Sequence, residues 1–267
     1  AVMLGRHFNK PVVITARGTD INLIPQHPVA RKMILWAAKH AKGIITVCNA
    51  LKDEMVALGV DASRITPLRN GVDLQLFQPG DRAGLRASLG MQGFTLLSVG
   101  HLIERKGHDL AIKALPMLKD VSLLIAGAGP ERKSLENLAQ ELKVSNRVRF
   151  LGALSQAELK NYYGAVDALV LASSREGWAN VLLEAMACGT PVVASNVWGT
   201  PEVVAAPEAG VLMRGRTPEM LAEAVSALRA DYSDHAATRR YAEKFSWDDT
   251  TKGQLKLFRK ILREKTQ

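Results

Sequence analysis

Short, continuously apolar runs alternate along this chain with longer segments in which apolar residues return every three or four positions. The apolar runs fall at residues 11–16, 43–48, 95–100, 121–127, 147–152, 168–173 and 191–195. Runs of that length that stay apolar on both sides of the pleat predict strands buried on both faces, as in a parallel sheet. Between them, residues 109–118, 131–142, 156–164 and 218–228 have helical spacing, and 29–41 and 49–58 add two helices near the start. The expected class is α/β, with doubly wound, Rossmann-like parallel sheets. The periodicity breaks at residues 67–80, where LRNGVDLQLFQPG combines an Asn-Gly turn with a terminal Pro-Gly. A domain boundary is expected there, dividing 1–73 from 74–245, with 246–267 as a closing segment. The first part holds only the runs at 11–16 and 43–48, with 65–68 as a third. That is too few strands for a self-sufficient layered sheet, whereas the second part has enough for a complete one. The first strand follows Ala1 after only a short lead, so the chain reads as cut from something longer. A second chain or a homo-oligomer is then expected to complete the partial domain, because its apolar strand faces and sheet edge need a cover; the alternative is that its own helices at 29–41 and 49–58 shield it.

Composition narrows the classes. Over 267 residues, 47% are apolar and 23% charged, which excludes disorder, collagen and coiled coil. Lys and Arg number 35 against 26 Asp and Glu, a formal charge of +9 that favours anionic partners: phosphates, a membrane surface or nucleic acid. Nucleic acid is the poorest of the three, because aromatic residues are only 5% and do not interleave with the cations. Cys48 and Cys188 sit in apolar stretches with no CxxC or Cys/His cluster, so neither a disulfide framework nor a zinc site is indicated. A reducing, cytoplasmic setting is expected. No apolar run approaches the roughly 18–20 residues that span a bilayer, and nothing in these residues resembles a secretory signal. In residues 250–267, Leu255, Phe258, Ile261 and Leu262 form an apolar stripe, while Lys252, Lys256, Arg259, Lys260, Arg263 and Lys265 occupy the other faces. Two readings stay open: a helix lying on a membrane surface, or one packed on the N-terminal domain with a solvated basic face.

The candidate chemistry lies in three loops that follow predicted strands. In residues 173–195, SSREGWANVLLEAMACGTPVVAS, Glu176 precedes a Gly-Trp-Ala-Asn turn, and Glu184 falls about one turn inside the helix that follows. Ligands of open α/β sheets bind at that carboxyl edge, where the free amides of a helix's first turn face an anion. A carboxylate among Leu182, Leu183, Ala185, Met186 and Ala187 is costly to bury unless it accepts hydrogen bonds, and ribose hydroxyls are suitable donors. Taken alone, such a pair reads more simply as a helix-start acid and a solvated helix residue. The second loop, after Val99 and Gly100, offers Arg105, Lys106 and Gly107 just before a helix. Adjacent cations there suit a diphosphate, Arg as a planar fork and Lys as a point charge. The third, IAGAGPER at 125–132, places glycines where backbone could approach a ligand, although it is not a GxGxxG fingerprint.

Together these loops resemble the retaining nucleotide-sugar glycosyltransferases of family 4, which have the two-Rossmann-domain GT-B fold. The resemblance runs in order through NGVDLQLF (70–77), VGHLIERKG (99–107), AGAGPER (126–132), VRFLGAL (148–154), the glutamate pair, GTPEVV (199–204) and FSWDDTT (245–251). It implies an acceptor-side domain at 1–73, a donor-binding domain at 74–245 and a helix in 246–267 crossing back to the first. It further implies a metal-independent transfer from a UDP- or GDP-sugar to a hydroxyl acceptor, in cell-envelope polysaccharide or glycolipid synthesis or on a small molecule, with peripheral contact at the inner membrane face. Glu176, Arg105 and Lys106 would be the catalytic residues, and Gly100, Gly177, Trp178, Ala179, Asn180, Val181, Leu182 and Glu184 the donor-binding ones. The alternative is a non-catalytic sugar-nucleotide-binding chain that needs a second chain. No DxD-type pair lies on a suitable loop, since Asp248 and Asp249 follow Trp247. This chain departs from the family in three places. His101 stands where members often carry Arg; Arg17 stands at a strand end where many carry a site His, and would meet a phosphate or the acceptor; and a long N-terminal stretch with a glycine-rich loop is missing.

Overall fold

The structure is a computed structural model that describes residues 1–231 and 234–266. The Lys265 side chain and Gln267 lie outside the described residues. The chain divides into two compact units, one made of Ala1–Gly71, Glu176–Ala179 and the segment from Phe245 onward, the other of Val72–Arg175 and Asn180–Lys244. Four residues expected in the donor-binding domain, 176–179, thus group with the first unit. Packing explains it: a Cβ on Gly177 would lie 2.9 Å from Gly18 Cα, and the Trp178 ring sits 6.1 Å from that of Phe245.

The first unit contains α1 (Val2–His7), β1 (Val13–Ala16), α2 (Thr19–Asn22), α3 (Pro28–His40), β2 (Gly43–Thr46), α4 (Asn49–Ala57) and β3 (Ile65–Pro67). The strands form a parallel sheet in the order β1-β2-β3, with Val13 opposite Gly43 and Ile44 opposite Ile65. Central β2 is buried throughout, while edge strand β1 is only partly so. The 20-residue C-terminal helix Trp247–Thr266 lies on this sheet. A Cβ on Gly43 would come within 2.9 Å of Ile261, and Thr250 Oγ1 donates to the Arg69 carbonyl. The predicted apolar stripe is therefore split: Ile261 is buried, while Leu255, Phe258 and Leu262 are exposed. Among the described residues, no helix is long and apolar enough to cross a membrane.

The second unit contains α5 (Arg82–Ser88), β4 (Phe94–Val99), α6 (His108–Ala114), β5 (Val121–Ala126), α7 (Arg132–Glu141), β6 (Val148–Gly152), α8 (Gln156–Ala165), β7 (Ala168–Leu171), α9 (Asn180–Ala187), β8 (Val192–Ser195), α10 (Thr200–Val203), β9 (Gly210–Met213), α11 (Pro218–Ala230) and α12 (His235–Ala242). Its six parallel strands run β6-β5-β4-β7-β8-β9. Strand β9 gave no signal in the sequence, because GVLM is short, begins with a glycine and runs directly into Arg214. Leu96, Leu123, Ile125, Val170 and Val193 meet α6 and α11 in a core from which water is excluded. Polar fasteners complete it. The Asp167 carboxylate accepts from Arg82, Arg86 and the Thr95 amide, and Arg239 donates to the carbonyls of Leu74, Phe77 and Ala187. The strand order reverses between β4 and β7, and in sheets of this kind the crevice for a ligand opens at that point, beyond the carboxyl ends.

Candidate functional site

The β4–α6 loop is built backbone against backbone. Gly100 has φ +153° and Gly107 φ +69°, conformations open to glycine at little cost. A Cβ on Gly107 would lie 2.8 Å from the Ala172 carbonyl carbon, one on Gly127 2.9 Å from that of Gly100, and one on Gly129 2.7 Å from the Leu102 amide. The glycines of AGAG, expected to let a ligand approach, instead let this loop settle onto the end of β5. The half-buried Lys106 side chain runs along Gly100, its Cδ 3.3 Å from where a Cβ would stand.

The segment leaving β7 is tied to the same loop. The Ser174 amide donates to the Arg105 carbonyl at 2.8 Å, and Arg105 Nη1 donates to the Arg175 carbonyl at 3.1 Å. Arg105, expected beside a diphosphate, is thus engaged in holding the chain one residue before Glu176. Arg216 Nε donates to the Ala172 carbonyl at 2.9 Å, and Ser195 Oγ to the Ser173 carbonyl at 2.6 Å. Nothing in the sequence singled out Arg216 or Ser195. Beyond Arg175, the buried residues Glu176, Gly177, Trp178 and Ala179 lie in the first unit. There the Gly177 backbone meets that of Arg17, while Asp20 accepts from the amides of Arg17 and Gly18 and holds that turn. The Arg17 side chain is exposed. Among the described residues five buried side-chain polar atoms have no hydrogen-bond partner: Thr46 Oγ1 and Trp178 Nε1 in the first unit, and His108 Nε2, Ser173 Oγ and Thr200 Oγ1 in the second. Such atoms are rare in folded proteins and mark places that a ligand or water completes.

Helix α9 opens with Asn180, Val181 and Leu182. Leu182, Leu183, Ala185 and Met186 are buried, so Leu182 offers a ligand only its amide, while Val181 and Glu184 are half-buried. Burial pushes the Glu184 carboxyl up from its usual value, and a hydrogen bond from Tyr163 opposes the shift. Tyr163 OH donates to Glu184 Oε2 at 2.9 Å. Nothing in the sequence singled out Tyr163.

A strand-to-helix loop rich in glycine, a lysine laid along it, a helix amino end and a half-buried glutamate now stand around the switch point of one unit. Residues 86–245 match the family model described as glycosyl transferases group 1, and residues 1–76 that of glycosyltransferase family 4. The chain belongs to the group 1 glycosyl transferases. Its D-inositol 3-phosphate glycosyltransferase relative from Mycobacterium avium (strain 104) is 36% identical over 250 residues, covering 89% of this chain and 56% of that one. The chain spans about half the length of the curated relatives it matches. Among solved structures, sucrose-phosphate synthase from Thermosynechococcus elongatus superposes with a TM-score of 0.87 at 25% identity, over 98% of this chain and 70% of that one. HepE of Anabaena, in complex with UDP and glucose, gives 0.85 at 22% identity, over 97% and 73%. The fold class is GT-B-type α/β.

One further residue of this chain supports the β4–α6 loop from below. His108 is buried, with Nδ1 and Ser98 Oγ 2.8 Å apart. Burial drives its pKa down to about 4, against the pull of the His101 carbonyl. The unfolded chain, with histidine near 6.5, therefore binds an extra proton between pH 4 and 6.5. The stability tied to neutral His108, about 3 kcal/mol, is complete above pH 6.5 and drains away as pH falls toward 4. Hydrogen-exchange protection of the β4 amides across that range is expected to fall with pH in the native chain and to stay nearly flat in His108→Gln.

Proposed function

We propose that this chain binds a nucleoside-diphosphate sugar and serves a retaining glycosyltransferase that moves the sugar to a hydroxyl acceptor on a glycolipid, polysaccharide or small molecule. The observation that carries this is the pair of loops after β4 and β7, interlocked through Arg105 at the switch point, with Lys106 and the amino end of α9 facing the crevice side of the sheet. In this reading Glu176 meets hydroxyls of the donor sugar, Gly177 to Asn180 supply amides around sugar and diphosphate, and Glu184 holds the ribose. Lys106 takes the charge of the leaving diphosphate, and Arg105 acts by keeping the Glu176 segment in place.

Chemically, the bond from the sugar's anomeric carbon to the β-phosphate oxygen breaks and the acceptor oxygen bonds to the same face of that carbon. The acceptor's proton leaves with the departing phosphate. Negative charge grows on that oxygen in the transition state, so a preorganised ammonium and helix amides contribute most where it appears. In this reading Lys106 and the amides of α9 take that charge without a divalent cation. The structures of HepE with UDP and with UDP-glucose support a UDP-sugar donor, with a GDP-sugar as the other candidate. Cytoplasmic placement with peripheral membrane contact fits the same reading, supported by the two buried thiols and the +9 charge.

Calorimetric titration with UDP, GDP and ADP tests the binding, and at least one is expected to bind below millimolar concentration. No binding by any of them would overturn the reading. Arg17, at a strand end where many members of the resembling family carry a site His, favours the competing view of a binding chain that needs a second chain for turnover. Tight binding with no transfer or hydrolysis of labelled donor would support that view.

A further inference from the structure

We infer that Tyr163 sets the ribose selectivity of the site, acting as a positioning residue that fixes the Glu184 carboxylate through one oxygen and leaves the other to a ligand diol. The inference rests on the reading in which Glu184 holds the ribose, and goes beyond it by naming what makes that glutamate selective.

Three observations carry it. Tyr163 is fully buried: Thr190 Oγ1 donates to its backbone carbonyl at 2.5 Å, and its ring packs edge-on against Phe77 with centroids 6.0 Å apart. Its hydroxyl reaches across from α8 to α9 and donates to Glu184 Oε2 at 2.9 Å. Glu184 Oε1 has no hydrogen-bond partner among the described residues, and no cation there pairs with the carboxylate. A half-buried carboxylate held this way is poorly compensated in the empty fold. A phenol orients it without cancelling its charge, as an arginine or lysine would, so the second oxygen keeps full acceptor strength for hydroxyl donors. A nucleotide without those hydroxyls would leave that oxygen desolvated and unmatched, which is how polar sites reject analogues that lack a hydroxyl.

The experiment compares the affinities of the 267-residue chain for UDP and 2′,3′-dideoxy-UDP by calorimetry, with GDP and ADP and their dideoxy forms run alongside. It uses the native chain, Tyr163→Phe and Glu184→Gln. The native chain is expected to prefer the ribose form roughly tenfold or more, the worth of one hydrogen bond to a charged group. Tyr163→Phe keeps the ring, and is expected to lose most of that preference through weaker ribonucleotide binding, with dideoxynucleotide affinity unchanged. Undiminished preference in Tyr163→Phe overturns the role of Tyr163 while leaving Glu184 at the ribose. An equal loss for both nucleotides also overturns it, by showing that the hydroxyl only supports packing. Equal affinities in the native chain, unaltered in Glu184→Gln, overturn the ribose reading itself, as does failure of every nucleotide to bind.

Discussion

Lys106→Ala is expected to lower turnover of sugar transfer by roughly 10²–10³, the usual cost of removing one preorganised electrostatic group at a charge that develops in the transition state. The lysine suits that role because its methylenes lie along Gly100 and keep the ammonium from searching solvent. The loss should fall mainly on kcat, since the β-phosphate oxygen carries more charge at the transition state than in the bound donor. Glu176→Ala is expected to fall in the same range, by removing a buried carboxylate from the donor sugar. Steady-state kinetics with a labelled nucleotide sugar measure both, and full activity in either variant contradicts the assignment. Lys106→Arg should recover only part of the rate, because a planar fork does not replace a compact point charge on the same stem.

How much of this was legible in the sequence depended on the range of the forces involved. The strands were readable because burial on both faces leaves a continuous apolar run, as in LLIA of β5, and the glutamate pair was readable because its spacing is local. The partners were not. Arg105 is visible as a cation, but that it spends a hydrogen bond on the Arg175 carbonyl, 70 residues away, follows from the order of β4 and β7 in the sheet. The same holds for Arg216 and the Ala172 carbonyl, 44 residues apart, and for Tyr163 and Glu184, 21 apart. Residues 176–179 belong by sequence to the donor-side loop, yet they pack against Arg17, Gly18 and Phe245, and no local pattern announces that. The C-terminal stripe shows the opposite failure. Helical spacing grouped Leu255, Phe258, Ile261 and Leu262, but only Ile261 of these is buried, because the helix turns Gly253, Leu257 and Ile261 toward Leu68 and Gly43 and leaves the other three on its far side.

The glycines of AGAG lead to the second large effect. Gly127 has φ +149°, and a Cβ there would overlap the Gly100 carbonyl, which is itself backbone and has no flexible end to move aside. Gly127→Ala therefore combines a conformation that side chains rarely adopt, costing about 1–3 kcal/mol, with overpacking that costs about 1–3 kcal/mol more. Relief requires the end of β5 to move away from the β4–α6 loop. That would break the bonds from the Gly100 amide to the Ala126 carbonyl and from the Leu102 amide to the Ala128 carbonyl, at 3.0 and 2.9 Å. Lys106 rides on the same loop, so nucleotide affinity should fall along with stability. By contrast, Gly90→Ala, which also has positive φ but open space around it, carries only the conformational cost and should bind nucleotide normally. Hydrogen exchange of the β4 and β5 amides, read beside calorimetric affinities for the two variants, separates the cases. If Gly127→Ala matched Gly90→Ala in both measurements, the loops would have slack that the geometry denies, and the glycines would be free for the ligand after all.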